Sequence, residues 1–308
     1  MDLRGIGRRR HGFAHAVLHL FTYHGRALPW RNISDPYRIL VSEIMLQQTY
    51  MSRVLATYPG FLRRFPSIRK LAAARQKDVV IAWQGMGYNN RAVRLHRLAK
   101  TIIHEYGGRF PRTEAEMLAL PGVGRYTANA MLSSVFKKDV PVVDVNIRRV
   151  FSRVFWPMKT TATLRPEKDI WHLAQKLVPA GNAYRWNQAL MDLGATICTA
   201  RSPACVRCPL ARRCASTKVM KRAVSSGRPA ATGKIVPNRI YRGRIIETLR
   251  HHDRRRNLRT DTLARAIHPR YGRNQKQWLE SLLAGLEKDG LIKRSRKGRW
   301  NERRISLA

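Results

Sequence analysis

Negative charge is what this chain has least of. Its 308 residues hold 19 Asp+Glu against 60 Lys+Arg, a formal net charge of +41. So large an excess repels itself in a folded chain unless a polyanion neutralises it. Nucleic acid is the polyanion this favours, because each neutralised phosphate releases counterions. An anionic membrane surface and adaptation to an unusual cytoplasm are the alternatives, and charge alone does not separate an enzyme from a packaging protein. Long apolar runs are also missing. None approaches the roughly 20 residues of a membrane span, so no membrane partner is expected. The basic start, MDLRGIGRRRHGFAHAVLHLF, has histidines in its apolar stretch and no small-residue cleavage site. That argues against a signal peptide and for a cytoplasmic protein, nucleoid-associated in a prokaryote. Period-two alternation is short wherever it occurs up to residue 214, which leaves a sheet little support there.

The composition that remains is globular, 44% hydrophobic, and the length allows one large domain and a smaller one. Residues 1–214 read as almost all helix. Amphipathic segments at about 11–24, 35–56, 67–74, 77–83, 89–106, 113–120, 124–136, 144–155, 166–178 and 183–197 are separated by Gly/Pro punctuation. Thr113-Glu114-Ala115-Glu116 has capping-box spacing, so a helix starts there. Residues 215–237, rich in Ser, Gly, Ala, Pro and basic residues, suit a linker. Beyond it, residues 238–308 read as three helices (about 239–251, 260–268 and 273–289) and two short strands around Lys297-Gly298. Helices followed by a basic hairpin predict a winged-helix-like module, with Arg273 to Trp278 opening its recognition helix. A small basic three-helix cap is the simpler alternative.

Cysteine is scarce and clustered. Cys198, Cys205, Cys208 and Cys214 are the chain's four, spaced C-x6-C-x2-C-x5-C. Such clustering in a cytosolic protein argues for metal rather than disulfides. Four thiolates suit tetrahedral zinc or an iron–sulfur cubane, and softness alone does not choose between them. The spacing resembles the [4Fe–4S] loop of the endonuclease III and MutY glycosylases, as does the run Trp186-Asn187-Gln188-Ala189-Leu190-Met191-Asp192-Leu193-Gly194-Ala195. The resemblance covers nearly all of residues 25–214. It implies an all-α helix-hairpin-helix DNA glycosylase domain over 1–214, two-lobed, holding a [4Fe–4S] cluster. It also implies that Arg201, Arg207, Arg212 and Arg213 meet a DNA backbone.

Leu120-Pro121-Gly122-Val123-Gly124-Arg125-Tyr126-Thr127-Ala128 reads as helix, tight turn, helix. Gly122 and Gly124 let the backbone approach an anion, and the N–H groups that open the next helix face it. Viewed alone, such a turn is more often an ordinary helix connection. With Val143-Asp144-Val145-Asn146 downstream it resembles the helix-hairpin-helix signature, which assigns Gly122, Gly124, Arg125 and Thr127 to the DNA backbone. Asp144 sits in an apolar run at a helix start, where it would serve as an N-cap. The resemblance gives it a second role, stabilising oxocarbenium character at C1′ of the sugar, with Asn146 orienting water or the carboxylate. Tyr126 stands where strand-cleaving relatives have lysine. A phenol forms no Schiff base, so base removal without an efficient lyase step is expected.

Glu43 is a lone acid in the apolar turn of Ser42-Glu43-Ile44-Met45-Leu46-Gln47-Gln48-Thr49. Burial there would favour its neutral form, as a general acid needs; a surface glutamate is the alternative. In MutY enzymes the matching glutamate protonates adenine N7. The resemblance further assigns Gln47 and Gln48 to a helix wedged into the base stack. It makes Tyr88, after Gly85-Met86-Gly87, an intercalating aromatic, and it makes Trp30, Arg31, Leu46 and Gln188 an adenine pocket. A half-buried core tyrosine is the plainer reading of Tyr88.

The expected partner is double-stranded DNA containing a mispaired base, bound by a monomer. Within the enzyme class, adenine removal opposite 8-oxoguanine or G leads. Thymine or uracil removal from G mispairs is the alternative, because Val145 replaces the usual MutY glycine and no Nudix-like domain is evident. A DNA-binding protein on the same scaffold is the non-enzymatic alternative. Glu43 and Asp144 weigh against it, since a pure binder gains nothing from carboxylates near a polyanion.

Overall fold

A computed structural model describes residues 6–158, 160, 164–220, 236–252, 257–269, 271–295 and 298–308, with backbone only for 6–11 and 273. Most of the expected linker, 221–235, lies outside them. The helices they form are α1 (Ile6–His24), α2 (Pro36–Leu46), α3 (Met51–Arg64), α4 (Ile68–Ala73), α5 (Gln76–Ala82), α6 (Asn90–Glu105) and α7 (Glu114–Ala119). They continue as α8 (Arg125–Ser134), α9 (Val145–Phe155), α10 (Glu167–Leu177), α11 (Ala183–Asp192), α12 (Asn238–His252), α13 (Thr260–Ile267) and α14 (Lys276–Lys288). Two compact units result. One is Met1–Ile39, Arg112–Leu118 and Val123–Ala230; the other is Leu40–Pro111, Ala119–Gly122 and Ala231–Ala308.

The first unit is organised around α9. Its Ile147, Val150, Phe151 and Val154 recur at helical spacing and are buried. Phe13 of α1 meets Phe155 edge-on at 5.1 Å and Trp186 of α11 at 5.3 Å, an arrangement favoured by the ring quadrupoles. The capping box forms as its spacing predicts: Thr113 Oγ1 accepts from the Glu116 backbone N–H at 3.2 Å, and Glu116 Oε2 accepts from that of Thr113 at 3.2 Å. A buried amide then fixes the extended segment ahead of α9. Asn187 Oδ1 accepts from the Val142 N–H at 3.1 Å, while its Nδ2 donates to Val140 O at 3.0 Å and Ser133 Oγ at 3.1 Å.

In the second unit one expected helix divides. The apolar pattern over 35–56 continues across Gln47–Tyr50, but α2 stops at Leu46 and α3 restarts at Met51. Gln48 has φ +53 there, which no α-helix accommodates. Pro59, which looks like punctuation, sits inside α3 at an exposed position. Residues 238–308 follow the order α12, β1 (Leu258–Arg259), α13, α14, β2 (Ile292–Arg294), β3 (Arg304–Leu307). The sheet is antiparallel in the order β1-β3-β2, with Leu258 opposite Ile305 and Ile292 opposite Leu307. The strand β1 is too short to leave a pattern in the sequence. Residues 273–275 make a single tight turn, so the helix expected from Arg273 begins at Lys276.

Replacing Asn187 by leucine keeps the volume and strands the buried Val142 N–H and its neighbours. Urea unfolding of Asn187→Leu should show a loss of about 2–3 kcal/mol at unchanged slope; an unchanged midpoint would mean the amide is not a tie.

Candidate active site and metal centre

In the first unit the start of α9 presents Asp144. The carboxylate caps its own helix, with Oδ1 accepting from the Ile147 N–H at 2.7 Å, while Oδ2 accepts from Asn146 Nδ2 at 2.6 Å. Burial pushes its pKa above the ordinary carboxylate value, against the pull of those donors. Val145, between them, is 65% exposed, so this edge of the helix faces outward. Asn146 is held in turn: its Oδ1 accepts from Arg149 Nη2 at 2.9 Å.

Arg149 leads to the cysteine loop. Its Nη2 also donates to Gly194 O at 2.6 Å and its Nε to Cys198 O at 2.7 Å. One turn on, Arg153 donates to Thr199 O at 2.7 Å and Ala200 O at 2.9 Å, and its Nη1 lies 3.5 Å from Cys198 Sγ. Between α11 and Cys198, residues Leu193–Ile197 open into a π-turn, a feature often found at functional sites. A Cβ on Gly194 would lie 2.7 Å from Asn146 Cβ, so only glycine lets the two segments approach.

The four thiols line one cavity whose remaining walls are largely apolar, including Val150, Leu193, Ile197, Leu210 and Met220. Burial pushes the Cys208 thiol up to about 11 and raises Cys214 as well, with the neighbouring thiols adding to it. Among the described residues no three His, Cys, Asp or Glu side chains converge as a single metal ion requires. Four soft thiolates around one largely apolar cavity are a donor set that fits an iron–sulfur cluster. Bound there, the cluster would cross-link residues 198–214 through four thiolates.

The same unit joins Arg31 and Gln188, which the sequence assigned to one pocket. Gln188 Oε1 accepts from Arg31 Nε at 2.8 Å. The guanidinium also meets Asp192, bidentate at 2.8 and 2.7 Å, and donates from Nη1 to Arg26 O at 2.8 Å; both charged side chains are buried. Arg26 adds a second contact to Asp192 at 2.6 Å. Burial opposes the Asp192 charge, but these arginines win and hold its pKa below the usual value. Trp30 is buried beside Arg31 in sequence. Tyr126 is half-buried and Thr127 buried near the start of α8. Arg125 lies 4.2 Å over the Trp171 ring and pairs with Glu114 at 3.3 Å. A Cβ on Gly124 would meet nothing within 4 Å, so this glycine leaves space outside the protein rather than within it.

In the second unit Glu43 is 5% exposed, between the fully buried Ser42 and the buried Ile44. Leu46 and Gln47 are partly buried and Gln48 exposed. Gly122, at φ +77, packs against Arg94. Tyr88 is 45% exposed with φ +43, a strained backbone for a bulky residue. Arg91 ties these segments together. It donates to Ile44 O, Met45 O and Gln47 O at the end of α2, and to Thr49 Oγ1, Met86 O and Gly87 O. Burial lowers its pKa to about 10. Sequence reasoning missed Arg91, Arg149, Arg153 and Asp192 as site-forming residues; in so basic a chain one more arginine carries no signal.

Residues 41–179 match the HhH-GPD superfamily base excision DNA repair proteins, and 198–214 match the iron–sulfur binding domain of endonuclease III. The chain is 40% identical over 245 residues to the adenine DNA glycosylase of Mycolicibacterium smegmatis, covering 76% of this chain and 79% of the relative. It is 33% identical over 207 residues to that of Buchnera aphidicola subsp. Schizaphis graminum, covering 67% and 60% respectively. Among solved structures it resembles a thermostable thymine-DNA glycosylase, with TM-score 0.64 and 33% identity over 69% of this chain and 98% of that one. The chain belongs to the HhH-GPD superfamily of base excision DNA repair proteins, with the all-α helix-hairpin-helix fold and a [4Fe–4S] loop. It spans less than two thirds of the length of several curated relatives it matches.

Two outcomes follow from this geometry. Asp192→Asn leaves Arg31 buried without its counter-charge, and unfolding free energy at neutral pH should fall by about 3–5 kcal/mol. In the parent the folded-state pKa of Asp192 is depressed. The pair's contribution is therefore complete above the unfolded value of about 3.9 and is lost as pH falls through the lower folded value; the variant should lack that acid-side loss. Cys198→Ser should purify with iron and acid-labile sulfide well below the parent's, and with a lower melting temperature.

Proposed function

We propose that the chain is a monofunctional adenine DNA glycosylase, acting as a monomer on double-stranded DNA in which adenine lies opposite 8-oxoguanine or G. The observation that carries this reading is Asp144: a carboxylate fixed by its own helix start and by Asn146, with its pKa raised, at an outward edge of the fold. The curated relatives named adenine DNA glycosylase support the choice of base. A positioned carboxylate stabilises positive charge at C1′ as the glycosidic bond breaks. Glu43 protonates adenine at N7, so that the C1′–N9 bond breaks with its pair going to the base; water adds at C1′ and gives up a proton. Asn146 orients Asp144. Trp30, Arg31, Leu46 and Gln188 receive the base, and Arg31 draws its orientation from Asp192. Gln47, Gln48 and Tyr88 open the duplex, which extrusion of a base requires. Gly122, Gly124, Arg125 and Thr127 hold the phosphate backbone at the hairpin. Tyr126, in the place of a Schiff-base lysine, leaves the strand uncut. Residues 238–308 act as a winged-helix-like module.

Thymine or uracil removal from G mispairs is the second reading. It is favoured by Val145 and by the likeness to a thymine-DNA glycosylase structure across 98% of that chain. Duplexes carrying A opposite 8-oxoguanine, A opposite G, T opposite G and U opposite G, heated in alkali after incubation, separate the two. Strand breaks at the adenine duplexes are expected; breaks confined to the pyrimidine duplexes would overturn the assignment. Glu43→Gln should lose adenine excision by about a hundredfold or more while retaining DNA binding. Because Asp144 acts as the carboxylate and its pKa is raised, single-turnover excision should fall as pH drops through a value above the ordinary carboxylate range of about 3.9. An acid limb at the ordinary value would sink the assignment to Asp144.

A further inference from the structure

Asn89 leads into α6 with a helical backbone, φ −59 and ψ −19, and its side chain caps nothing. It is 6% exposed, and its Oδ1 instead accepts from Arg250 Nη2 at 2.8 Å. Arg250 belongs to α12, more than 160 residues along the chain, in the C-terminal part that follows the cysteine loop. It is itself buried, and donates to Val80 O from Nε at 3.1 Å and from Nη2 at 2.7 Å. Its remaining arm meets the carboxylate of Glu247, which lies 3.4 Å from Gln84 Nε2. One guanidinium thus grips the end of α5 and the residue after Tyr88. Arg91 grips the other side of the same loop, through Met86 O, Gly87 O and Tyr88 O.

The loop has reason to need both. Gly85, Gly87 and Tyr88 all have positive φ, at +82, +66 and +43. For tyrosine that conformation costs energy and persists only where the surroundings impose it. Tyr88 is held half-exposed, as an aromatic that enters a base stack must be. If Arg250 served only to anchor the C-terminal part, backbone acceptors such as Val80 O would suffice. The bond to Asn89 instead takes the buried side chain of the residue next to Tyr88 and fixes it. A second anchor shows the difference: Gln76 Nε2 donates to Gly290 O at 2.6 Å and touches no part of the loop.

We infer that Arg250 is a positioning residue for duplex opening: through Asn89 it fixes the Tyr88 loop, so that the C-terminal part sets the intercalating side chain as well as adding basic surface. The inference rests on the reading of Tyr88 as the residue that enters the stack.

The full-length, cluster-loaded protein tests it. A fluorescent 2-aminopurine placed beside the mispair reports unstacking, and single-turnover excision is followed on the same duplex. Tyr88→Ala should reduce both by about tenfold, within the range of one lost base–aromatic stack. Arg250→Ala and Asn89→Ala should each show a comparable loss, with affinity for matched duplex little changed. Either combined with Tyr88→Ala should add almost nothing, as expected of residues acting on one element. Arg250→Lys reaches fewer of the acceptors and should restore only part of the signal. Gln76→Ala should lower the melting temperature and leave unstacking intact. If Tyr88→Ala matters but Arg250→Ala and Asn89→Ala unstack the duplex like the parent, the inference alone fails. Losses equal to that of Gln76→Ala also overturn it, because the arginine is then only an anchor. If Tyr88→Ala itself changes nothing, the reading of Tyr88 falls and the inference with it. Asn89→Ala leaves the Arg250 bonds to Val80 in place, so it decides the matter even where Arg250→Ala folds poorly.

Discussion

Carboxylates are too few in this chain to neutralise its buried cations. With 19 acids for 60 lysines and arginines, the buried guanidinium groups turn to backbone carbonyls instead. Arg91 takes the carbonyls that end α2, Arg149 and Arg153 those of the π-turn and the cysteine loop, and Arg250 that of Val80. Helix ends leave such carbonyls without partners, and a cation there also meets the negative end of the helix dipole. A planar group with five donors can serve several at once, where lysine could not. Arg91, Arg149 and Arg153 thereby fix irregular segments that no regular hydrogen-bond ladder holds. The chain is left strongly basic, at a net charge of +41, which suits contact with a polyanion.

Arg31 and Arg250 also take carboxylates, and for Arg31 the partner is buried with it. Asp192 is one of the few buried acids, and it takes both Arg26 and Arg31 at the end of α11. Arg149 links the next turn of the chain to the start of α9. Cys198, Gly194 and Asn146 all bond to its guanidinium, and Asn146 bonds to Asp144. The loop that holds the cluster and the helix end that holds the carboxylate are thus two sides of one arginine. No metal chemistry is asked of the cluster in this account; its thiolates close the loop on which Arg149 and Arg153 bear.

Much of this was readable in the residues. The capping box at Thr113, the N-cap at Asp144 and the buried setting of Glu43 follow from local pattern, because each depends on neighbours within a turn. The cysteine spacing carried the metal site for the same reason. What stayed hidden depends on partners far apart in the chain. Nothing near Leu46 announces that α2 ends there, since the break at Gln48 is set by Arg91, about 40 residues on. The expected segment ended at 56, ahead of Pro59, yet α3 runs through that proline to Arg64, because an exposed position tolerates the missing bond. The strand β1 exists only because β3 returns to pair with it.

The reading of the site stands on one group more than any other. Asn is as good a helix cap as Asp, so Asp144→Asn keeps the start of α9 while removing the negative charge and the acceptor that Asn146 Nδ2 uses. Single-turnover excision of adenine opposite 8-oxoguanine by that variant is the most direct test. The account predicts a fall of about a hundredfold to a thousandfold with duplex binding retained, the scale of losing one electrostatic stabiliser of a transition state. An undiminished rate in protein with its cluster intact would contradict it.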